Sequence, residues 1–287
     1  MKDKIRRRVS IFTSDDYTWS FATWVKTIPE LIKKYEVVGI YLFPEKLGKM
    51  KGIQIPLWHL RIFGLFNSVI LGLYAIKVRL LQLASQTKTW EQLASRYNIK
   101  LNRGQSPNSK IVCDWVKEND IDIIFIMVGD ILKEDIVKSP NIGIINKHAA
   151  ILPSCKGILP FFWAKLNNLP IGVTFHQVDI GVDTGRILIQ MPHPLKDSSD
   201  ISMLRFYIDV FYFFPFMVPL AAEHLIKKIY HRPSVNVKSS YFSFPTKTDF
   251  KKYAAKGYEV AKISDLLYIP DFPIGEVKKH EICSNRY

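Results

Sequence analysis

The chain has 287 residues, of which 48% are apolar and 23% charged. That composition excludes wholesale disorder, and the length suffices for one large domain with a sizeable core, or a domain with a small appendage. The net charge of +14 attracts anions such as nucleic acid, phosphorylated substrates or acidic lipid, without choosing among them.

The chain opens on a basic Met1–Arg8 followed by the strand-like Val9–Thr13. No apolar run of signal-peptide length follows, so no export is expected. Cys113, Cys155 and Cys283 are widely spaced, odd in number and in no metal-ligand pattern. This favours a reduced, cytoplasmic setting and no metal.

Ser14-Asp15-Asp16 reads as a turn with N-cap residues. From Trp19 to Tyr35, apolar residues at Phe21, Trp24, Ile28, Leu31 and Ile32 give a helical rhythm. Val37–Phe43 is a second strand, and strand–helix–strand at this spacing opens a doubly wound α/β sheet. Pro56–Ala84 predicts one or two helices with a long apolar stripe, off which Arg61, Lys77 and Arg79 lie. Such a stripe either covers the sheet as a flank or rests on a membrane or partner; the flank is the expectation. Within it, the apolar run Ile62–Ile76 is too short to span a bilayer.

Trp90–Tyr97 is another short helix, and Ser106-Pro107 starts a further one carrying Ile111, Val112, Trp115 and Val116. Ile121–Val128 is a nearly unbroken apolar run, as in a central parallel strand buried on both faces. Gly129-Asp130 ends it, and ligands in open α/β sheets bind beyond such strand ends. Ile142–Ile145 is the next strand, with Asn146 and His148 at its carboxyl end. Phe161–Leu166 is helical. Ile171–Val178 and Ile187–Gln190 are two strands around a turn at Asp179–Gly185. Helix is expected from Met203 to Tyr230. Arg205, Asp209, Pro215, Pro219, Glu223 and His224 argue against a spanning helix over Met203–Ile226. Tyr241–Pro245 reads as a short extended segment, and Thr246–Ala255 as a helix capped by Thr246 and Asp249. No linker or repeat divides the chain. Residues 1–200 are expected to form a catalytic domain, and 201–287 a helical extension packed on it.

Asn146, His148 and Asp183 form the candidate constellation. Asn146 and His148 alternate on one strand end, so their side chains can share a face. An amide N–H and an imidazole suit a developing oxyanion, while a carboxylate can orient the imidazole or take a proton. No Ser or Cys sits in a nucleophile elbow, so a nucleophile would come from the substrate. On residue types alone, each also reads as an ordinary turn or core residue.

In order and spacing, Asn146-x-His148, Leu152-Pro153, Gly157, Gly172-Val173-Thr174 and Asp183-Thr184-Gly185-x-Ile187-Leu188 resemble the signature of the folate-dependent formyltransferases. The resemblance runs over about Asp120–Gln190 and more weakly back to Val9. It implies a Rossmann-like formyltransferase fold with a mainly parallel sheet flanked by helices, with 10-formyltetrahydrofolate as formyl donor and a primary amine as acceptor. Asn146, His148 and Asp183 would be the catalytic triad. His148 and Asn146 would stabilise the oxyanion, and Asp183 would assist removal of the amine proton. Gly129, Ile131 and Leu132 would line the pterin slot on one side, and Ile180, Gly181 and Val182 on the other. Ala150 stands where the family usually has Ser, Lys156 where it often has Arg, and Asp130 is an unusual acid in an apolar turn. His176 reads as a pocket-rim or packing residue.

Phe161-Phe162-Trp163-Ala164 resembles a Phe-Trp-Ala run of the sugar N-formyltransferase branch, which favours an amino sugar, nucleotide-linked, as acceptor. The alternative is methionyl-tRNA, favoured by the charge; a non-catalytic binding module is the third. Peripheral membrane contact and a homodimer are left open.

Overall fold

The computed structural model describes residues 6–193 and 201–270. Cys283, Met1–Ile5 and the domain boundary expected at 200 lie outside them. In chain order the strands are β1 (Arg8–Ser14), β2 (Glu36–Phe43), β3 (Lys46–Leu47), β4 (Met50–Lys51), β5 (Lys100–Arg103), β6 (Ile123–Met127), β7 (Gly143–His148), β8 (Lys156–Gly157), β9 (Gly172–Gln177), β10 (Ile187–Pro192) and β11 (Tyr241–Phe242). The helices are α1 (Ala22–Leu31), α2 (Gln54–Leu83), α3 (Trp90–Arg96), α4 (Lys110–Glu118), α5 (Glu134–Val137), α6 (Pro160–Leu166), α7 (Met203–Tyr212), α8 (Phe214–Ile226) and α9 (Lys247–Ala255).

Seven strands form the main sheet in the order β10-β9-β7-β6-β1-β2-β5. From β5 to β7 the pairings are parallel; β9 and β10 join antiparallel as a hairpin. The fold is thus the mainly parallel α/β sheet expected, with helices following it in the C-terminal region. Successive side chains of a strand face opposite sides, and the sequence follows that rule. Val9, Ile11, Ile123 and Phe125 enter one core cluster, while Phe12, Ile124 and Ile126 enter the other. Helix α1 packs on α8 over the first face, and α4 brings Val112, Cys113, Trp115 and Val116 to the second.

Several elements differ from the sequence expectation. The helix after β1 opens as a single π-type turn, Tyr17–Phe21, before α1. It opens because the Asp16 carboxylate caps it, accepting from Trp19 N at 2.7 Å and Ser20 N at 3.1 Å. Helix α4 starts at Lys110 rather than Ser106, since Ser106 Oγ holds a turn by accepting from Asn108 N, and Ser109 is the residue that caps. Strand β5 has no apolar run; it is an edge strand held by pairing to β2.

Helix α2 departs furthest. It runs 30 residues and is long and apolar enough to cross a membrane, so the limit drawn from Ile62–Ile76 does not hold for the whole element. Gly64 breaks its helical backbone (φ 79°, ψ 173°). It packs on the π-type turn, β4, α9 and the short 3₁₀ turn Ile263–Leu266 rather than flanking the sheet, and most of its surface is open. By contrast α7 and α8 bend by 59° and bury most of their apolar residues. Asp209 is fully buried, accepting from His193 Nε2 at 2.9 Å and from Tyr268 OH at 2.7 Å.

The capping box expected at Thr246 and Asp249 is present. The Tyr241–Pro245 stretch straps the turn at β8. Strand β11 pairs parallel with β8, Phe242 stacks on Trp163 with centroids 4.7 Å apart, and Trp163 Nε1 donates to Ser243 O at 3.0 Å. Phe161 of α6 stacks on Phe206 of α7 at 4.4 Å, both fully buried, and so ties the helix after the site to the C-terminal helices. Replacing either ring by alanine in a packed core costs about 3–5 kcal/mol. Urea denaturation is expected to show a loss of that size for Phe161→Ala and for Phe206→Ala. The double variant should lose less than the sum, because the rings share one contact.

Candidate active site

The carboxyl ends of β1, β6 and β7 open into one cavity of about 490 Å³, within the usual range for ligand sites. Asn146, His148 and Asp183 all line it. Asn146 and His148 sit two apart at the end of β7, and the antiparallel pairing with β9 sets His176 opposite Asn146.

The geometry centres on Asp183. Its Oδ2 accepts from Gly157 N at 2.9 Å and lies 3.4 Å from His148 Nδ1. Its Oδ1 lies 3.5 Å from His176 Nε2. Gly157 is required here: φ is +94°, and a Cβ would stand 2.2 Å from Phe242 O. His148 Nε2 is 2.8 Å from Cys155 O. A carbonyl only accepts, so Nε2 carries a proton and Nδ1 is the nitrogen turned to Asp183. By the same reasoning His176 Nδ1 donates to Gln177 O at 3.0 Å. That leaves Nε2 to accept from Asn146 Nδ2 at 3.4 Å. One Asn146 N–H is thereby directed at His176 and the other is left for a ligand.

The loop after β7 is fixed from behind. Thr174 Oγ1 donates to Ala150 O at 2.7 Å and accepts from Leu152 N at 3.2 Å. The buried Gln190 amide donates to Leu152 O and Thr174 Oγ1, both at 2.9 Å. Ala150 is itself fully buried, and Thr174 supplies the hydroxyl at this loop.

Burial pulls His148 down to about 4, against the pull of Asp183 and of the Cys155 carbonyl. Burial alone would raise the Asp183 carboxyl, but His176, His148 and the Gly157 N–H outweigh it and hold it down to about 2. Lys147 was not expected in the site, yet lines the cavity. Its Nζ lies 4.5 Å from the Phe211 ring centre. Burial lowers it to about 8, with Asp183 opposing.

The slot residues are placed unequally. Gly129, Ile131, Leu132, Gly181 and Val182 line the cavity. Ile180 does not: it is 61% exposed. Asp179 Oδ1 accepts from Gly181 N and Thr184 Oγ1, which pins the turn with Ile180 outward. At Gly129 a Cβ would stand 2.2 Å from Lys46 O, so only glycine allows the two segments to meet. Asp130 is explained by a buried pair with Lys46 Nζ at 2.6 Å. Its Oδ2 is buried without a hydrogen-bond partner, as is Ser20 Oγ, and both residues line the cavity. An orphaned acceptor beside an apolar wall fits the N–H edge of a pterin ring. Asp16, whose carboxyl burial raises, lines the far side with Tyr207. A second cavity, of about 720 Å³, meets Asp183 from the other side and is lined by Lys156, Arg186 and Lys228 among others.

Lys147 and Ser20 join the site although the sequence did not assign them to it, and His176, expected at the pocket rim or in packing, lines the cavity beside Asp183. Alternation along β9 was a usable signal for His176, since it shares a face with Thr174. For Lys147 and Ser20 there was none, because their neighbours come from α7 and the turn after β1.

Residues 76–205 match the family model described as formyl transferase. The methionyl-tRNA formyltransferase of Blochmanniella pennsylvanica (strain BPEN) is 29% identical over 147 residues, which are 50% of this chain and 45% of that protein. The chain spans less than half the length of the first curated relatives it matches (45% and 37%). In fold it resembles the phosphoribosylglycinamide formyltransferase of Anaplasma phagocytophilum, with a TM-score of 0.54, 14% identity and coverage of 83% of this chain and 98% of that one. It also resembles an N-formyltransferase of Helicobacter canadensis solved with folinic acid and dTDP-3-aminofucose, with a TM-score of 0.50, 19% identity and coverage of 83% of this chain and 71% of that one. The likeness to these structures is one of fold.

The two shifted groups set a pH dependence. The folded pKa of His148, about 4, lies below its ordinary 6.5, so the unfolded chain binds that proton first and stability falls as pH drops from 6.5 through 4. Asp183, at about 2 against an ordinary 3.8, contributes fully above pH 3.8 and loses its contribution toward pH 2. Urea titrations are expected to show the unfolding free energy falling across both windows, by on the order of 3 kcal/mol for His148. A His148→Gln variant should flatten the upper window and narrow the lower one, since His148 helps to hold Asp183 down.

Proposed function

We propose that the chain is an N-formyltransferase that moves a formyl group from 10-formyltetrahydrofolate to a primary amine, in the first place that of a nucleotide-linked amino sugar. The observation that carries this reading is the linked set in one cavity: Asn146 on His176, and Asp183 between His176 and His148. A folate donor would supply the activated formyl group, held at Gly129, Asp130 and Leu132 on one side and Gly181 and Val182 on the other.

The second Nδ2 hydrogen of Asn146 suits a carbonyl oxygen that gains negative charge as an amine adds. The His148 Nε2–Cys155 bond supports a role for His148 on the proton side. The amine proton would pass to His148 Nδ1, where the Asp183 carboxylate stabilises the resulting imidazolium, and from His148 to the donor nitrogen as that nitrogen's bond to the formyl carbon breaks. This refines the expectation that gave His148 to the oxyanion. The N–H of Gly157 keeps Asp183 ionised and oriented meanwhile.

The amino-sugar reading is supported by the cavity wall opposite the slot. Asp16, Ser20 and Lys147 offer an acceptor, a hydroxyl and a cation to a ligand bearing hydroxyls, an amine and phosphate. The methionyl-tRNA reading draws on the curated relatives and on the charge of +14, since phosphate contacts dominate nucleic-acid affinity.

Asn146→Ala and His148→Ala are each expected to lower the formyl-transfer rate about 10²- to 10³-fold with the fold retained by circular dichroism. Full activity in His148→Ala would sink the assignment. An acceptor screen with 10-formyltetrahydrofolate, setting nucleotide amino sugars against methionyl-tRNA, is expected to show turnover with the sugars. Turnover with the tRNA alone would replace that acceptor.

A further inference from the structure

The open face of α2 serves none of the roles above. Leu65 is 69% exposed and Phe66 60%, and Leu73, Ile76, Leu80 and Leu81 continue the apolar surface along the helix. Leu267, 85% exposed, follows the 3₁₀ turn that packs on α2. The segment after the break at Gly64, Leu65–Leu83, is about 28 Å long at the helical rise. Open apolar surface of this extent marks an interaction site.

Charge identifies the occupant. Between Lys46 and Trp90 the sequence has no Asp or Glu, while Lys49, Lys51, Arg61, Lys77, Arg79 and Lys88 are all cationic. Lys49, Lys51, Arg61 and Lys88 are exposed. A second copy of the chain would bring the same cations to the same face, so self-pairing there opposes like charges. An anionic bilayer supplies both an apolar layer and negative headgroups.

The opposite side of α2 decides how the helix would sit. Ile70 packs with Leu204, Ile208 and Ala261, and Phe63 contacts Phe162 and Phe250. Gln82 Nε2 donates to Tyr17 O at 2.6 Å, and Lys77 Nζ to Leu266 O at 2.6 Å. A spanning helix would have to give these contacts up, whereas one lying in the interface keeps them. We propose that α2 docks the protein on an anionic lipid surface, its open face sunk among the acyl chains and its cations at the headgroups. The segment leading into α2 also walls the cavity through Lys46, Leu47 and Gly48, so the docking helix follows a cavity wall in the chain.

Co-sedimentation of the full chain with phosphatidylcholine vesicles, with and without phosphatidylglycerol, tests this. Binding is expected to the anionic vesicles, weakening as salt is raised. Phe66→Glu/Leu80→Glu should reduce partitioning about tenfold or more. Ile111→Glu, at an exposed apolar residue of α4, should leave it unchanged. Circular dichroism controls for folding, since both α2 positions are exposed. Three results would overturn the proposal. They are no binding to anionic vesicles, binding that Phe66→Glu/Leu80→Glu does not weaken, and a dimer in sedimentation that this variant dissociates.

Discussion

The Asp183 carboxylate, held by one backbone N–H and faced by two imidazoles, is the interaction around which the rest is arranged. Burying a carboxylate is costly unless polar groups surround it, and here the groups that face it come from different parts of the chain. The Gly157 N–H reaches it because a residue with no side chain lets the β8 turn lie under Phe242. His148 comes from the parallel part of the sheet, and His176 from the antiparallel hairpin. Thr174 and Gln190 hold the loop between them. A change in any of these supports reaches the carboxylate through one or two hydrogen bonds.

The cavity is assembled from two kinds of surroundings. The segment resembling the formyltransferases, residues 76–205, carries the amide, the imidazoles, the carboxylate and both sides of the slot. The opposing wall draws on the turn after β1 (Asp16, Ser20), on α7 (Phe211) and on the strap at Tyr241. Asp16 and Ser20 therefore lie outside that segment, while Asn146, Lys147, His148, His176 and Asp183 lie inside it.

How much of this was legible follows from what is local. Strands β1, β2 and β6 could be read because both faces are buried and their apolar runs are dense. Strand β5 could not, since Lys100–Arg103 owes its conformation to its neighbour. Asn146, His148 and Asp183 stood out by order and spacing, whereas the contact of His176 with Asn146 depends on cross-strand register. The stripe on α2 was visible as a stripe, but a sequence does not say which apolar side meets protein. Asp130 looked out of place because its partner, Lys46, lies 84 residues away.

The pairing of β7 with β9 sets Asn146 against His176, Lys147 against Phe175 and His148 against Thr174. Side chains alternate along a strand, so a slip of one residue would carry Phe175 or Gln177 to the place of the imidazole. The five parallel strands would be untouched, and most of the core with them. A chain misaligned at this single ladder would pass as folded by its secondary structure and still have no imidazole facing Asn146 and Asp183 from β9. For this hairpin, alignment is itself a chemical specification, and its fidelity during folding decides what fraction of intact molecules can work.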